Sequence, residues 1–419
     1  MNKFKELGIC DDILKSIEKQ RFTEPTEIQE KSIPAVLEGK DVVAGSATGS
    51  GKTLAFGVGI IQNTERKGGI QALVLAPTRE LAQQITDALR DFSHHKKLKI
   101  VEVYGGVSIN PQMDDLRHAD IVVGTPGRIL DHMDRGTIDF SRVKTFVLDE
   151  ADLMVDMGFI DDVRKIMSAC PPERQSLMFS ATITPDIDYI IKKYMNDPVR
   201  VSAENAVDPT KLKQIYYDVR DNAKFSLLVH LLQSEQEGLV MVFCNTRQNT
   251  DFVAANLKAN KIQAQAIHGG LTQAKRGQIM TNFHKQKVYV LVATNVAARG
   301  LDIKGVSHVY NYDIPKESKE YIHRIGRTAR AGKEGMAISV LSPRDHENFD
   351  RVLRDTDINV ELEPLPKFER ALIKHKDPPR GESYGRGFGG DRRGGDRRGG
   401  SRGGSRGGDR RDGPRRSSY

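Results

Sequence analysis

Residues 42–53 read Val-Val-Ala-Gly-Ser-Ala-Thr-Gly-Ser-Gly-Lys-Thr, an apolar run that leads into a glycine-rich loop ending in Lys-Thr. A helical stretch follows, and the order strand, loop, helix is the context that a phosphate-binding loop requires. Backbone N–H groups of such a loop can turn inward around phosphate oxygens at the positive end of the helix. The stretch therefore predicts a nucleotide site formed by Ser46, Ala47, Thr48, Gly49, Ser50, Gly51, Lys52 and Thr53.

Two side chains of this loop have predicted roles. Lys52 would neutralise the β and γ phosphates of ATP, and the Thr53 hydroxyl would hold Mg²⁺. Ser46 departs from the general pattern, because glycine normally occupies the first position of the loop. The alternative for this octapeptide alone is a surface turn rich in glycine and serine.

A pair of acidic residues supports the nucleotide interpretation. Asp149 and Glu150 directly follow an apolar run at residues 145–148. An acid at the carboxyl end of a parallel strand can reach the phosphate loop, so Asp149 is the candidate ligand of Mg²⁺. Glu150 is then placed to orient or deprotonate the attacking water. Such a pair alone is more often a solvated turn, but together with Lys52 it predicts an ATPase.

Short apolar runs recur along the chain, and each is followed by a turn and an amphipathic stretch. They lie at residues 73–75, 121–123, 146–148, 239–243, 288–292, 306–310 and 337–341. Continuous apolar runs of this length are typical of strands that are buried on both faces of a parallel sheet. The polar, aperiodic residues 202–211 separate two such series, so the pattern predicts two doubly wound α/β domains joined by a linker.

Charge is concentrated at the carboxyl end of the 419-residue chain. The net charge is +8, and residues 380–419 contribute +7 of it through 12 arginines and five acidic residues. The same forty residues contain 14 glycines, so they cannot bury enough apolar surface to fold. This composition predicts a disordered basic tail that meets a polyanion.

Composition also limits the setting in which the protein works. The three cysteines, Cys10, Cys170 and Cys244, have no spacing typical of disulfides or zinc ligands. No signal peptide or run of roughly 18 apolar residues is present, so no membrane contact is expected. These features predict a cytoplasmic protein.

The tetrad Asp149-Glu150-Ala151-Asp152 resembles the motif that gives the DEAD-box helicase family its name, and further family motifs follow in order over residues 4–345. The resemblance implies two tandem RecA-like domains and an ATP-dependent RNA helicase with ATP and Mg²⁺ as cofactors. It implies a Q-motif region at 1–30, a first domain at 31–203, a linker at 204–211, a second domain at 212–366 and the tail at 367–419. Family members also tolerate a small residue in place of the first loop glycine.

The resemblance assigns roles to residues outside the phosphate loop. Around the nucleotide, the implied contacts are Phe4, Phe22, Thr26 and Gln29, which would read adenine, and Asp302, which would hold the ribose. Ser180 and Thr182 would link hydrolysis to strand separation, and His323, Arg327 and Arg330 would complete the ATP site, the two arginines acting on the γ-phosphate. Arg21 and Ala329 stand where glycine is commoner in the family.

The resemblance also implies an RNA surface spread over both domains. In the first domain it comprises Pro77, Thr78, Arg79, Gly105, Gly106, Thr125 and Arg128, and in the second Arg247, Gly269, Gly270 and Thr294, with Gln273 and Arg276 nearby. Contacts made to the RNA backbone would read little sequence.

Two alternatives remain open at the level of sequence. One is a non-catalytic RNA-binding or annealing protein that relies on its tail, and the intact Lys52, Asp149, Glu150, Arg327 and Arg330 argue against it. The other is a translocating DNA helicase, because composition does not separate RNA from DNA.

Overall fold

Two parallel β-sheets of seven strands each organise the computed structural model of the chain. The structure describes residues 2–45, 50–202, 212–234, 238–298, 303, 305–329, 334–355 and 358–374. None of the helices in these ranges is long and apolar enough to cross a membrane.

The first sheet contains seven short strands in the order β3-β4-β2-β5-β6-β1-β7. They are β1 (Val42–Gly45), β2 (Ala72–Leu75), β3 (Ile100–Val103), β4 (Ile121–Gly124), β5 (Thr145–Asp149), β6 (Gln175–Ser180) and β7 (Val199–Ser202). The described residues of the same half of the chain form ten α-helices: α1 (Asn2–Glu6), α2 (Asp11–Lys19), α3 (Glu27–Leu37), α4 (Lys52–Asn63), α5 (Arg79–Phe92), α6 (Asn110–Leu116), α7 (Pro126–Asp134), α8 (Ala151–Asp156), α9 (Ile160–Ala169) and α10 (Pro185–Tyr194).

The second sheet has the order β10-β11-β9-β12-β13-β8-β14. Its strands are β8 (Leu212–Asp218), β9 (Leu239–Cys244), β10 (Ala264–Ile267), β11 (Val290–Thr294), β12 (Val306–Asn311), β13 (Gly335–Leu341) and β14 (Glu361–Leu362). The accompanying helices are α11 (Lys224–Ser234), α12 (Arg247–Ala259), α13 (Gln273–His284), α14 (Asn295–Ala298), α15 (Ser318–Ile325) and α16 (His346–Asp355).

The two sheets have the same strand order, shifted by seven strands. Every pairing is parallel, and the central strands β2 and β9 are fully buried. Apolar clusters cover both faces of each sheet, which is why the strands consist of continuous apolar residues. The predicted class of two doubly wound parallel-sheet domains is confirmed.

The amino-terminal residues form part of the first domain. Phe4 of α1 and Ile13 and Ile17 of α2 are fully buried in the same apolar cluster as strand β1. Helix α3 extends across the predicted division at residue 30. The Q-motif region is therefore continuous with the first α/β domain, because its apolar side chains complete that core.

The predicted start of the tail at residue 367 is too early. Residues 367–374 have no regular secondary structure, yet Phe368 packs against the core of the second domain. The side-chain amide of Asn260 donates to the Leu372 carbonyl (2.8 Å) and accepts from the Leu372 N–H (3.0 Å). The Lys374 N–H donates to the side-chain oxygen of Asn256 (2.6 Å). Residues 367–374 thus form a strap that is hydrogen-bonded through its backbone to the region of α12. The rest of the predicted tail, residues 375–419, lies outside the described ranges, as does the linker at 204–211.

Candidate active site and nucleic-acid interface

The end of the phosphate loop is held by α3. The Thr26 hydroxyl donates to the Ser50 carbonyl (2.7 Å), and the Gln29 amide donates to the Gly51 carbonyl (2.9 Å). Gly51 has a φ of 92°, and a Cβ there would collide with the Gln29 amide. Glycine is required at this position because the backbone is left-handed and the amide approaches closely. The other predicted loop residues, Ser46, Ala47, Thr48 and Gly49, lie outside the described ranges.

The residues predicted to read adenine are differently placed. Gln29 is buried, and its amide oxygen accepts from the Thr26 N–H (2.9 Å) in a capping box that begins α3. Phe22 is 37% exposed, with its ring centroid 6.4 Å from that of Phe92. Phe4 is fully buried, so its ring packs in the core and leaves no face open to a nucleotide. Adenine contacts by Thr26, Gln29 and Phe22 stay a prediction.

A buried ion pair lies at the carboxyl end of β5. The Lys52 ammonium is 3.5 Å from an Asp149 carboxylate oxygen, and the side chains are 7% and 3% exposed. Burial raises the pKa of Asp149 above its ordinary value, and the Lys52 charge opposes that rise. Thr53 follows Lys52 in the first turn of α4 and is half-buried. The structure thus brings together the predicted phosphate and Mg²⁺ residues.

Glu150 stands beside this pair in a strained conformation. Its φ is 52°, in the left-handed region that non-glycine residues rarely adopt, and its side chain is buried. The Glu150 N–H donates to the Asp149 carboxylate (3.0 Å), which fixes the turn between β5 and α8. Strain of this kind costs about 1–3 kcal/mol and is concentrated at functional sites. The turn holds the candidate general base next to the candidate metal ligand.

Ser180 and Thr182 connect the end of β6 to the DEAD tetrad. The Ser180 hydroxyl accepts from the Asp152 N–H (3.1 Å) and donates to the Thr182 carbonyl (2.8 Å). The Thr182 hydroxyl donates to the Asp152 carboxylate (3.3 Å). A movement of the segment after β6 would therefore change hydrogen bonds to Asp152 in the first turn of α8.

In the first domain, two arginines converge on a pair of glycines. A Cβ on Gly105 would lie 3.6 Å from an Arg79 nitrogen and 4.0 Å from an Arg128 nitrogen. A Cβ on Gly106, whose φ is 82°, would collide with the Arg79 guanidinium. Nη2 of Arg128 donates to the Val107 carbonyl (3.1 Å), whereas Nη1 is buried without a partner among the described residues.

The threonines predicted beside these arginines begin helices. Thr78 caps α5 by accepting from the Leu81 N–H (3.3 Å), and Pro77 precedes it. Thr125 is the N-cap of α7. Both helices thus begin at the carboxyl edge of the sheet, which carries the arginines.

The second domain repeats this arrangement. Arg247 begins α12 as Arg79 begins α5, and a Cβ on Gly269 would lie 3.4 Å from its guanidinium. The Gly270 N–H donates to His268 (3.1 Å), whose other ring nitrogen contacts Asp251 (3.0 Å). Thr294 ends β11 and is buried.

Gln273 and Arg276, predicted near RNA, contact the first domain. An Arg276 nitrogen lies 2.8 Å from a Glu80 carboxylate oxygen, and Gln273 donates to the same oxygen (3.3 Å). The Arg276 and Glu80 side chains are only 13% and 10% exposed. This contact joins α13 to α5 and brings the two carboxyl edges together.

Helix α15 and the residues just after it contain His323 and Arg327, which are predicted to complete the ATP site from the second domain. His323 and Arg327 line a small cavity together with Glu320 and Asn295, and Arg327 also donates to the His323 carbonyl (3.3 Å). Arg327 is buried, at 7% exposure. The predicted partners Asp302 and Arg330 lie outside the described residues.

Arg324 is a positioning residue that the sequence interpretation missed. Its side chain is 2% exposed and donates to Asn245 (2.7 Å), Asn295 (2.5 Å) and Asn311 (3.3 Å). Burial lowers its pKa to about 10, so it remains charged at neutral pH. Arg324 lies three residues after Tyr321, so the two side chains share one face of α15. An aromatic residue at this spacing is the sequence signal that the Arg324 side chain points into the core.

Family patterns match both halves of the chain. The pattern described as DEAD/DEAH box helicase matches residues 26–190, and the helicase conserved C-terminal domain matches residues 223–332. A DEAD-box ATP-dependent RNA helicase CshA from Geobacillus kaustophilus is 44% identical over 376 residues, or 89% of this chain and 80% of that protein. An ATP-dependent RNA helicase CshA from Listeria monocytogenes is 46% identical over 89% of this chain and 72% of that protein.

Solved structures with the same fold include a ligand-bound yeast protein and an archaeal protein. S. cerevisiae Dbp5 bound to RNA and ADP BeF3 aligns with a TM-score of 0.79 at 32% identity, over 87% of this chain and 96% of that one. A DEAD box protein from Methanococcus jannaschii aligns with a TM-score of 0.54 at 41% identity, over 86% and 99% of the two chains. The less identical of these two chains is thus the better match of the backbone over the whole alignment.

Proposed function

The chain belongs to the DEAD-box family of ATP-dependent RNA helicases, and on that premise we propose that it couples ATP hydrolysis to local separation of RNA strands. The observation that carries the proposal is the buried Lys52–Asp149 pair with Glu150 held beside it. A buried cation, a carboxylate at a strand end and a second carboxylate in a strained turn meet the needs of phosphoryl transfer to water.

We propose that Lys52 binds the β and γ phosphates and that Glu150 orients the attacking water and accepts its proton. Arg327 would add positive charge from the second domain as charge develops on the γ-phosphate. Only the approach of the two domains can bring Arg327 to the phosphate, since Lys52 begins α4 of the first domain and Arg327 follows α15 of the second.

Residues at the end of β5 and in the first turn of α4 fit a magnesium ion. Asp149 and Thr53 offer oxygen donors, and Mg²⁺ is usually bound by one or two carboxylates together with substrate phosphates and water. No group of three or more His, Cys, Asp or Glu side chains that could hold a metal ion occurs within the described ranges. When bound, the ion would neutralise phosphate charge.

We propose that RNA binds through its backbone along the carboxyl edges of both sheets. Arg79 and Arg247 stand at equivalent positions of the two domains, each beside a glycine pair that leaves the surface open. Nη1 of Arg128, buried without a hydrogen-bond partner among the described residues, is a ready donor for a phosphate oxygen. Phosphate contacts position a strand without reading its sequence.

Binding of the two ligands would then be coupled through domain closure. Each domain carries half of the RNA surface and half of the ATP site, so each ligand favours the closed form that the other needs. A closed form that bends one strand would expel its partner, and hydrolysis would reopen the enzyme.

We also propose that the protein works in the cytoplasm. Its three cysteines are free, and two of them, Cys170 and Cys244, are buried. Unpaired thiols are typical of a reducing compartment. Separation of cell lysate into cytosolic and membrane fractions, followed by immunodetection, tests this placement.

The deciding experiment compares ATP turnover with single-stranded RNA, with DNA of the same sequence and with no polynucleotide. RNA should stimulate turnover well above DNA. Glu150→Gln should keep nucleotide and RNA binding and lose hydrolysis, whereas Glu173→Gln, the same change at an exposed site of the first domain, should retain turnover. Equal stimulation by DNA would contradict an RNA-specific enzyme, and parent-rate turnover by Glu150→Gln would exclude it as the base.

A further inference from the structure

Besides the Glu80 contact, a second ion pair joins the domains, and it uses residues with no role in the motifs described above. The Lys319 ammonium lies 3.0 Å from an Asp156 carboxylate oxygen, with the side chains 32% and 23% exposed. Asp156 is the last residue of α8, the helix whose first two residues, Ala151 and Asp152, end the DEAD tetrad. Lys319 lies in the first turn of α15, the helix that carries His323.

Both charges are at the unfavourable end of their own helix. The amino end of a helix carries partial positive charge and favours acids, whereas the carboxyl end favours bases. A lysine in the first turn of α15 and an aspartate at the end of α8 therefore gain little from their own helices. Each charge instead gains favourable electrostatic energy from the opposite charge across the cleft.

We propose that Lys319 and Asp156 form an interdomain latch that holds α15 against α8 when the enzyme closes. The latch is a positioning device, because neither residue lies among the nucleotide or RNA contacts described above. It would act through α15, which carries His323 and leads to Arg327, and through α8, which begins beside Glu150. The proposal rests on the function proposed above and adds two residues that set how readily the domains close.

The position of the latch complements the Glu80–Arg276 contact. That contact joins α5 to α13, two helices that begin at the RNA-binding edges. The latch joins the helices that flank the ATP residues. With one contact near each ligand, closure is supported at two separate points, so loss of one should weaken closure and leave the folded domains intact.

The test is a charge swap in the full chain. Lys319→Glu and Asp156→Lys each place like charges across the cleft, and the double variant restores an ion pair with reversed polarity. Lys213→Glu is the matched control, since it creates the same repulsion against Glu363 within the second domain (3.4 Å in the parent).

Closure is read from energy transfer between fluorophores placed on one exposed position of each domain, on addition of poly(U) and ADP with beryllium fluoride. Steady-state ATPase gives the poly(U) and ATP concentrations for half-maximal turnover. For each single variant, the ligand concentration that gives half-maximal closure should rise about two- to fivefold. This is the change expected from loss of a partly exposed ion pair. The maximal rate at saturation should change less, and the double variant should return to within about twofold of the parent.

Three results would overturn the latch. Single variants that close like the parent and the control would show that the pair carries no coupling. A double variant as impaired as either single variant would show that the side chains act separately. A parent that shows no RNA-dependent closure would overturn both the latch and the proposed function, whereas the first two results leave the proposed function standing.

Discussion

Removal of the Lys52 charge should destabilise the chain even without nucleotide. The side chains of Lys52 and Asp149 are 7% and 3% exposed, so a Lys52→Met variant leaves a carboxylate buried without its cation. Breaking a buried pair by removing one partner costs about 3–5 kcal/mol, whereas replacing both charges with neutral groups is often close to neutral. The double variant, Lys52→Met with Asp149→Asn, should therefore have a free energy of unfolding within about 1 kcal/mol of that of the parent.

The same variant should show a pH dependence of known sign. Burial already raises the pKa of Asp149, and removal of the Lys52 ammonium removes a charge that lowers it. The folded variant then holds a proton on Asp149 more tightly than the unfolded chain does. Its stability relative to the parent should fall as pH rises through that raised pKa, so the deficit is larger at about pH 8 than at about pH 5.

Urea unfolding followed by circular dichroism measures these differences, because the chain has no tryptophan to report by fluorescence. Asp149→Asn alone completes the double-mutant cycle and should also lose stability, since it leaves a buried ammonium. A loss below about 1 kcal/mol for Lys52→Met at both pH values would refute the buried-pair argument. The argument would also be refuted if the double variant lost as much free energy of unfolding as the two single variants lose in sum.

Arg21→Gly should raise the free energy of unfolding by about 1 kcal/mol in the same urea assay, because residue 21 has a φ of 59° just after α2 and glycine adopts this conformation without a Cβ clash. An unchanged free energy of unfolding would show that the backbone at Arg21 is not strained. Arg327→Ala should suppress RNA-stimulated ATPase while Lys213→Ala, which breaks an exposed pair, retains it; full turnover would exclude Arg327 as a finger. Deleting residues 380–419 should reduce the salt dependence of RNA binding by roughly three units if four phosphate contacts are lost, with ATPase at saturating RNA unchanged; identical slopes would show that the tail does not touch RNA.

Local pattern was sufficient to predict the elements that form the site. The apolar run before the phosphate loop became β1, and the run before Asp149 became β5, because continuous apolar segments are stable only between two covered faces. Strands with mixed composition were missed. Strand β8 is Leu-Lys-Gln-Ile-Tyr-Tyr-Asp, and only two of its seven residues are buried.

Features formed by distant residues could not be predicted in the same way. The strap at residues 367–374 has no periodicity of its own, and it is hydrogen-bonded to Asn256 of α12 and to Asn260 just after that helix, both more than 100 residues earlier. The partner of Arg276, Glu80, lies in the other domain, and nothing in the sequence indicated that contact. Such pairings depend on how the domains meet, which no local pattern encodes.

The two domains duplicate the proposed grip on RNA but not the proposed chemistry. Arg79 and Arg247 occupy equivalent places in two sheets of the same strand order, so either domain alone presents a similar surface to a phosphate. The ATP residues are divided instead, with Lys52 in the first domain and Arg327 in the second. Each domain can therefore hold RNA weakly by itself, whereas hydrolysis requires both domains together. This asymmetry explains why turnover should depend on RNA, since RNA bound across both surfaces favours the closed form in which the divided ATP site is complete.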